Sequence, residues 1–481
     1  MSHRSAFSLL FFSLALALFL PSLFMDGMFM DATQYTAVGK NLSEGLGSFW
    51  RPYFTNKYYL SNTEFNFNEQ TTLGFGIYAV FFKLFGDSLY VERIFVLFSY
   101  IINVYLIAKI WNLLLPNKAR YALISIFLYT LFPIIFWTYQ HNMLENPMTT
   151  FILASSFLGL KAIHSSSQGI LYAAFSGLML FLAFMVKGVP GLFPLSIFFL
   201  FWISRQNDFS FMRMLSYTSS ALFSLSLCIG ALFLFEESKA SMTFYLESRL
   251  FARIGNNPTV ETRFYIVSDF LQNLIVPAIL MVFALVRMRL KNLKIENLKL
   301  ALFLLYLGLA GILPIMLTKV QRGFYISPAY PFIALSIAII MLPALESLRN
   351  SVSKKREALF RRIGLVLFVC VIGVTIVLAG KPKRDKDLLE DVYKIGETIG
   401  SGHIIICSVS FMKHDWAPKS YFMRYFEIEF DAQRTSFPAN REQRYALFKK
   451  GEVVDEGLVP IDIELNLYEL YEFRSALAPN M

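Results

Sequence analysis

The feature that most constrains this chain is a series of about eleven apolar runs, each long enough or nearly long enough to cross a bilayer. They fall near residues 6–25, 92–115, 120–138, 146–161, 169–186, 188–204, 214–235, 264–286, 300–318, 324–345 and 363–380. In hydrocarbon a helix satisfies its own backbone, so such runs fold as a bundle of spanning helices rather than around one soluble core. The composition agrees. Of 481 residues, 56% are apolar and only 16% charged, and the mean hydropathy is +0.52. Soluble proteins carry roughly a quarter charged residues. The net charge of +10 therefore reads as Lys and Arg in loops facing anionic lipid. No basic groove interleaved with aromatics points to nucleic acid.

The first run is too long for a signal-peptide core and no small-x-small cleavage site precedes Asp26, which predicts a retained first helix. With the N-terminus inside, the loops on the inner face hold more Lys and Arg than the longer outer ones, which fixes the orientation. Leu73–Phe85 is apolar but too short to span and reads as a re-entrant or interfacial helix. The first outer loop then runs over 26–91, with a second amphipathic helix from Ala32 to Glu44 lying along the membrane surface and ended by Gly45 and Gly47. A second outer loop covers 236–263. Residues 1–380 form the membrane domain. Beyond them the chain turns hydrophilic, and 381–481 predict a small extramembrane α/β or α+β domain with strands near His403–Val409 and Tyr425–Phe430. The orientation places this domain outside. Cys228, Cys370 and Cys407 are scattered, and give neither a disulfide framework nor a metal spacing.

The polar residues that could carry chemistry collect on the outer face. Asp26 and Asp31 stand where the first helix emerges into water, a costly place for a carboxylate without a task or a partner, although Asp is also a common helix cap. Glu69 lies in the same loop. Glu145 precedes Pro147 in the turn Tyr139–Pro147, where it could equally serve the next helix's dipole. Lys187-Gly188 ends the fifth run, where a snorkelling lysine is the plainer reading. Arg249, Arg253 and Arg263 sit in the second outer loop, and Lys319, Arg322 and Tyr325 flank the tenth run. His141 reads as an interfacial residue rather than a ligand. Carboxylates with a ring of cations at one interface suit an anionic, membrane-embedded substrate such as a lipid phosphate. A carboxylate beside it can act as general base on a hydroxyl.

In order and spacing, these residues resemble the membrane glycosyltransferases of the protein O-mannosyltransferase and lipid A aminoarabinose transferase type, which have the GT-C fold. Asp31-Ala-Thr-Gln-Tyr35 matches the Asp and Tyr of the family's Asp-Glu-x-x-Tyr motif. Asn68–Leu73, Phe85–Ser88, Arg93, Glu145, Phe184–Gly188 and Lys319–Pro328 echo later family elements, over roughly residues 1–345. Ala32 replaces the family's Glu, and Thr71-Thr72 its Pro-Pro with no preceding Lys.

The resemblance implies a bacterial inner-membrane enzyme that moves a sugar from a polyprenyl-phosphate donor to an acceptor hydroxyl on a protein, lipid A or a glycan. It implies inversion, with Asp31 as base, Glu145 orienting the acceptor or a cation beside it, and Lys187, Arg249 or Arg253, and Tyr325 toward the departing lipid phosphate; Asp26, which has no family counterpart, and Glu69 read as supporting acidic residues, and Lys319 and Arg322 as further cations for the phosphate. No cofactor is named by the residues. A divalent cation is compatible with the acidic set, but no ligand spacing stands out. A transporter or flippase for a lipid-linked sugar, or a scaffold with a degenerate site, fits the same charges.

Overall fold

The computed structural model describes residues 6–55, 67, 69–165, 167–204, 209–251, 258–432, 444–452 and 457–473, of which 6–8 and 354 are described by backbone alone. The chain divides into two compact units. One comprises Met1–Phe24, Glu69–Gly74 and Ile94–Ala379; the other comprises Met25–Asn68, Phe75–Arg93 and Gly380–Met481.

The first unit is helical. Among the described residues, seven helices are long and apolar enough to cross a membrane: Val91–Leu114, Gly169–Lys187, Phe211–Leu232, Tyr265–Leu290, Leu298–Leu317, Gly323–Asn350 and Lys355–Leu378. The pair Pro116–Leu131 and Pro133–Gln140 makes an eighth if it is one span, bent by 75°. Pro133 causes the bend: its ring forces Phe132 out of the helical region, to φ −68° and ψ 122°. The remaining runs form shorter helices, Leu9–Leu23 and Val189–Ile203, or lie within Glu145–His164. Large apolar side chains such as Phe223, Phe283 and Ile376 stay exposed on these helices, as a lipid-facing surface requires. Inside, polar groups join helices to one another. Asn103 donates to the Tyr139 hydroxyl at 2.6 Å and to the Asn146 carbonyl at 3.1 Å, and its own amide oxygen accepts from Thr150 at 2.8 Å.

The second unit is mixed. Helix α1 (Met30–Ser43) is buried from Ala32 through Asn41. The expected one-sided surface helix is thus an enclosed one, because its polar side chains find partners within the protein. Asn41 donates to the carbonyls of Tyr53 and Phe54, both at 3.2 Å, and Thr36 to that of Ala32 at 2.7 Å. Gly45, at φ +86°, follows its last turn, where the sequence ends the helix. Leu73–Phe85 is a helix of 13 residues, as its pattern predicts.

The C-terminal segment builds a five-stranded sheet. Its strands are β1 (Ile404–Cys407), β2 (Glu429–Asp431), β3 (Tyr445–Lys449), β4 (Leu458–Pro460) and β5 (Tyr468–Phe473), in the order β2-β1-β3-β5-β4. β1 runs parallel to β2 and β3, while β5 is antiparallel to β3 and β4. Helix α2 (Lys386–Ile399) lays Leu388, Leu389, Val392, Ile395 and Ile399 on the sheet's main core. The expected strand from Tyr425 starts late, because Tyr425 belongs to helix α3 (Trp416–Phe426), which stops where Glu427 turns to φ +54°.

Candidate active site

Two helix ends in the first unit set the site. Helix α4 (Glu145–His164) begins at Glu145, and helix α5 (Gly169–Lys187) ends at Lys187. Lys187 Nζ donates to Glu145 Oε1 at 2.6 Å, with the lysine 8% exposed and the glutamate fully buried. A lysine held this deep is an ion-paired group, so the snorkelling reading falls. The ammonium also faces the rings of Phe324 and Tyr325, at 5.3 and 5.6 Å. Phe324 stacks on Trp137, which in turn packs against His141. His141 is therefore part of an aromatic row.

Gly188 terminates α5 at φ +78°, and a Cβ there would stand 1.7 Å from the Tyr245 hydroxyl oxygen. The pairing of Lys187 with glycine thus has a steric cause: Tyr245 occupies the space beside the helix end. Thr71 fixes the segment Glu69–Gly74 to the same helix end, donating to the Phe184 carbonyl at 2.9 Å. Glu69 is in turn ion-paired with Arg249, which lies in a π-helical turn, Tyr245–Phe251.

These residues surround one cavity of about 450 Å³. Glu69, Gln70, Glu145, Lys187, Tyr245, Arg249 and Tyr325 line its polar part, and the rest of the wall is apolar, including Met148, Leu192, Phe193 and Ile315. The cavity brings together five residues singled out by sequence: Glu69, Glu145, Lys187, Arg249 and Tyr325. Lys319 and Arg322 are exposed and do not line it. What their segment contributes is backbone: the Lys319 carbonyl accepts from Thr259 and Val260 at 3.0 and 3.2 Å. Arg253 lies outside the described residues.

Sequence reasoning passed over three residues here. Gln70 and Tyr245 line the cavity. Gln321, fully buried, accepts from Ile266 N at 2.9 Å and donates to the carbonyls of Arg263 and Thr318 at 3.0 and 2.7 Å. It ties the second outer loop to the strip that carries Tyr325. Gln70 had a signal, since it stands where the resembled family has a lysine. Gln321 had none, because its bonds are to backbone, and those that join it to Ile266 and Arg263 reach more than fifty positions along the chain.

Asp31 and Asp26 belong to the second unit. Asp31 lies half-buried in the first turn of α1, and Asp26 is 3% exposed. Among the described residues, no three His, Cys, Asp or Glu side chains gather as a metal site would require.

The fold and this cavity can be set beside known proteins. The family model for dolichyl-phosphate-mannose-protein mannosyltransferase matches residues 70–233. An undecaprenyl phosphate-alpha-4-amino-4-deoxy-L-arabinose arabinosyl transferase of Proteus mirabilis is 25% identical over 234 residues, 48% of this chain and 40% of that protein. The match thus spans well under half of that relative's length. Crystal structures of ArnT from Cupriavidus metallidurans superimpose over essentially the whole of both chains. The form bound to undecaprenyl phosphate gives a TM-score of 0.67 with 99% of each chain covered, and the apo form 0.68 with 100% of each; identity is 12% in both cases. The chain has the ArnT fold. It resembles the GT-C membrane glycosyltransferases in sequence and architecture: a polytopic helical domain followed by a small sheet domain.

Proposed function

We propose that this protein is a membrane glycosyltransferase that takes a sugar from a polyprenyl-phosphate donor and passes it to an acceptor hydroxyl. The observation that carries the reading is the cavity of the first unit, apolar along most of its wall and lined as well by Lys187, Arg249 and Tyr325. Such a space suits an isoprenoid chain with a phosphate at its head. The ArnT fold supports it, since one ArnT structure holds undecaprenyl phosphate.

In this mechanism Asp31 accepts the proton of the acceptor hydroxyl. The oxygen attacks the anomeric carbon as the bond from that carbon to the phosphate oxygen breaks, and the electron pair leaves with the polyprenyl phosphate. One displacement inverts the anomeric centre. Lys187, Arg249 and the Tyr325 hydroxyl stabilise charge developing on the departing phosphate. Glu145 and Glu69 hold the two cations in place, and Asp26 supports Asp31's segment. The protein sits in the bacterial inner membrane, N-terminus inside and residues 381–481 on the outer face.

Sugar transfer from a polyprenyl-phosphate donor, assayed with purified protein, tests the reading. Wild type transfers, and Asp31→Asn falls by about a hundredfold or more, the scale of general-base catalysis. Full transfer by Asp31→Asn removes it as base. No transfer by wild type, with the lipid still bound, favours a carrier or scaffold.

A further inference from the structure

The five residues that lead from the first apolar run into helix α1, Asp26-Gly-Met-Phe-Met30, are held almost entirely by the C-terminal segment. The Asp26 carboxylate accepts from Tyr393 OH at 2.6 Å, Tyr425 OH at 3.0 Å and its own neighbour Gly27 N at 2.6 Å. Its backbone pairs as a short parallel bridge, N to the Lys381 carbonyl at 2.9 Å and carbonyl from Lys383 N at 3.0 Å. Gly27 sits at φ +86°, and a Cβ there would come within 2.5 Å of the Arg384 carbonyl oxygen. No side chain larger than hydrogen fits that approach.

Next comes Met28, fully buried. Both of its backbone groups meet one side chain: Met28 N donates to Tyr421 OH at 2.9 Å, and Tyr421 OH lies 2.7 Å from the Met28 carbonyl. The hydroxyl has a single proton, which it shares between that carbonyl and Asp385 Oδ2 at 3.1 Å. Helix α1 itself has no side-chain cap at Phe29. What fixes its entry is therefore Tyr421, acting through the backbone of Met28, three residues before Asp31. At the far end of α1, Lys40 Nζ pairs with Glu427 Oε1 at 2.9 Å. Tyr421 and Glu427 come from α3 and the residue that ends it, so one C-terminal helix grips both ends of the helix that carries Asp31.

We propose that Tyr421 is a positioning residue for the transfer reaction, setting Asp31 through the backbone of Met28, with the Asp26–Tyr393–Tyr425 tie holding the same segment from the other side. This rests on Asp31 being the base. The C-terminal segment that carries Tyr421 is then part of the catalytic apparatus without touching substrate. A displacement of a base on the order of an ångström costs up to about a hundredfold in rate.

The test compares Tyr421→Phe with wild type in full-length protein. The phenyl ring keeps the packing, and only the hydroxyl is lost. The inference expects kcat to fall at least tenfold with the donor KM unchanged. It expects amide exchange to rise at Met28–Thr33 but not in β3 and β5. In the Asp31→Asn background, Tyr421→Phe adds no further loss, because it acts through a group already removed. Lys449→Met, which breaks a pair with Asp415 inside the sheet domain, controls for general loosening and leaves kcat alone. Should Tyr421→Phe not fold, Asp26→Asn takes its place: the amide can accept from only one of the two tyrosines, and the same pattern is expected. Unchanged kcat and unchanged exchange at Met28–Thr33 overturn the inference, as does an additive loss on Asp31→Asn. Full activity of Asp31→Asn overturns the base assignment instead, and the exchange measurement still reads the Tyr421 tie.

Discussion

The two units each bury carboxylates against cations, and they do so in opposite ways. In the membrane unit two pairs, Glu145 with Lys187 and Glu69 with Arg249, line the same cavity. In the other unit Arg424, 1% exposed, is closed in by Glu92 Oε2 at 3.0 Å and Asp87 Oδ1 at 2.5 Å. Asp87 also takes Lys40 at 2.8 Å. Burial alone would lower the Arg424 pKa, but Glu92 and Asp87 more than offset it, so the pKa is raised and the guanidinium stays charged. A pair facing a cavity can exchange a partner for a substrate phosphate. Arg424 and Glu92 are enclosed by their own partners, with Asp87 partly exposed, so this pairing serves to hold structure together. In the proposed function the same chemistry thus serves a site in one unit and a fastening in the other, and openness to a cavity separates them.

The strongest way to break this contrast is to remove Arg424. Arg424→Met leaves Glu92, with no exposed surface, without its cation. Breaking a buried pair on one side costs roughly 3–5 kcal/mol. Little folded protein is expected, by thermal unfolding or size exclusion in detergent. Glu92→Met together with Arg424→Met recovers much of the loss, since two apolar side chains replace both buried charges. A folded and fully stable single variant would show the network to be dispensable.

Arg249→Gln sharpens the other half. Arg249 and Glu69 are 21% and 18% exposed, so solvent screens part of the pair and stability should change by only about 1 kcal/mol or less. Donor binding should suffer instead, with KM for the polyprenyl-phosphate donor rising about tenfold, the weight of one charge-assisted contact. A stability loss as large as that of Arg424→Met would place Arg249 among the fastenings.

Gly188→Ala probes how α5 presents Lys187. The new methyl would meet the Tyr245 hydroxyl in a backbone conformation that side chains rarely adopt. The cost expected is about 1–3 kcal/mol, accompanied by weaker donor binding as Tyr245 and Lys187 shift.

Much of the membrane unit can be read from sequence because it rests on local pattern. The apolar runs become helices, except that the run expected over 120–138 is bent at Pro133, and Glu145 and Lys187-Gly188 mark a helix start and a helix end, which the structure shows to meet. In the second unit the helices can be read in the same way, but their partners cannot. Glu92 meets Arg424 from 332 positions away, and Asp26 meets Tyr425 from 399. Hydrophobic periodicity carries no information about such partners. The outer-loop segments therefore look like surface helices until the C-terminal chain is folded over them. Strands of three to six residues, such as β2 and β4, give too short an alternation to separate from loop.

The smallest effect belongs to the sheet domain and is a matter of pH. Lys419, on α3, donates to the Met412 carbonyl at 2.6 Å and lies 3.4 Å over the Trp416 ring. Burial pulls its pKa from 10.5 down to about 8, and Cys407 and Asp415 offset only part of this. A lysine with a lowered folded pKa binds fewer protons folded than unfolded between the two values, so stability rises with pH across that window. Below about pH 8 both states are charged and the burial cost is constant. From about pH 9 the gain meets a loss, because burial raises the Cys407 and Tyr468 pKa values above their usual 9.0 and 10.0 and the unfolded chain ionises first. The domain should therefore gain on the order of 1 kcal/mol between about pH 8 and 9. Amide exchange over β1 and α3, corrected for the intrinsic rate, measures it. Lys419→Met should flatten that slope and leave the cavity's donor affinity unchanged. A slope that survives the substitution would assign the pH response to another group.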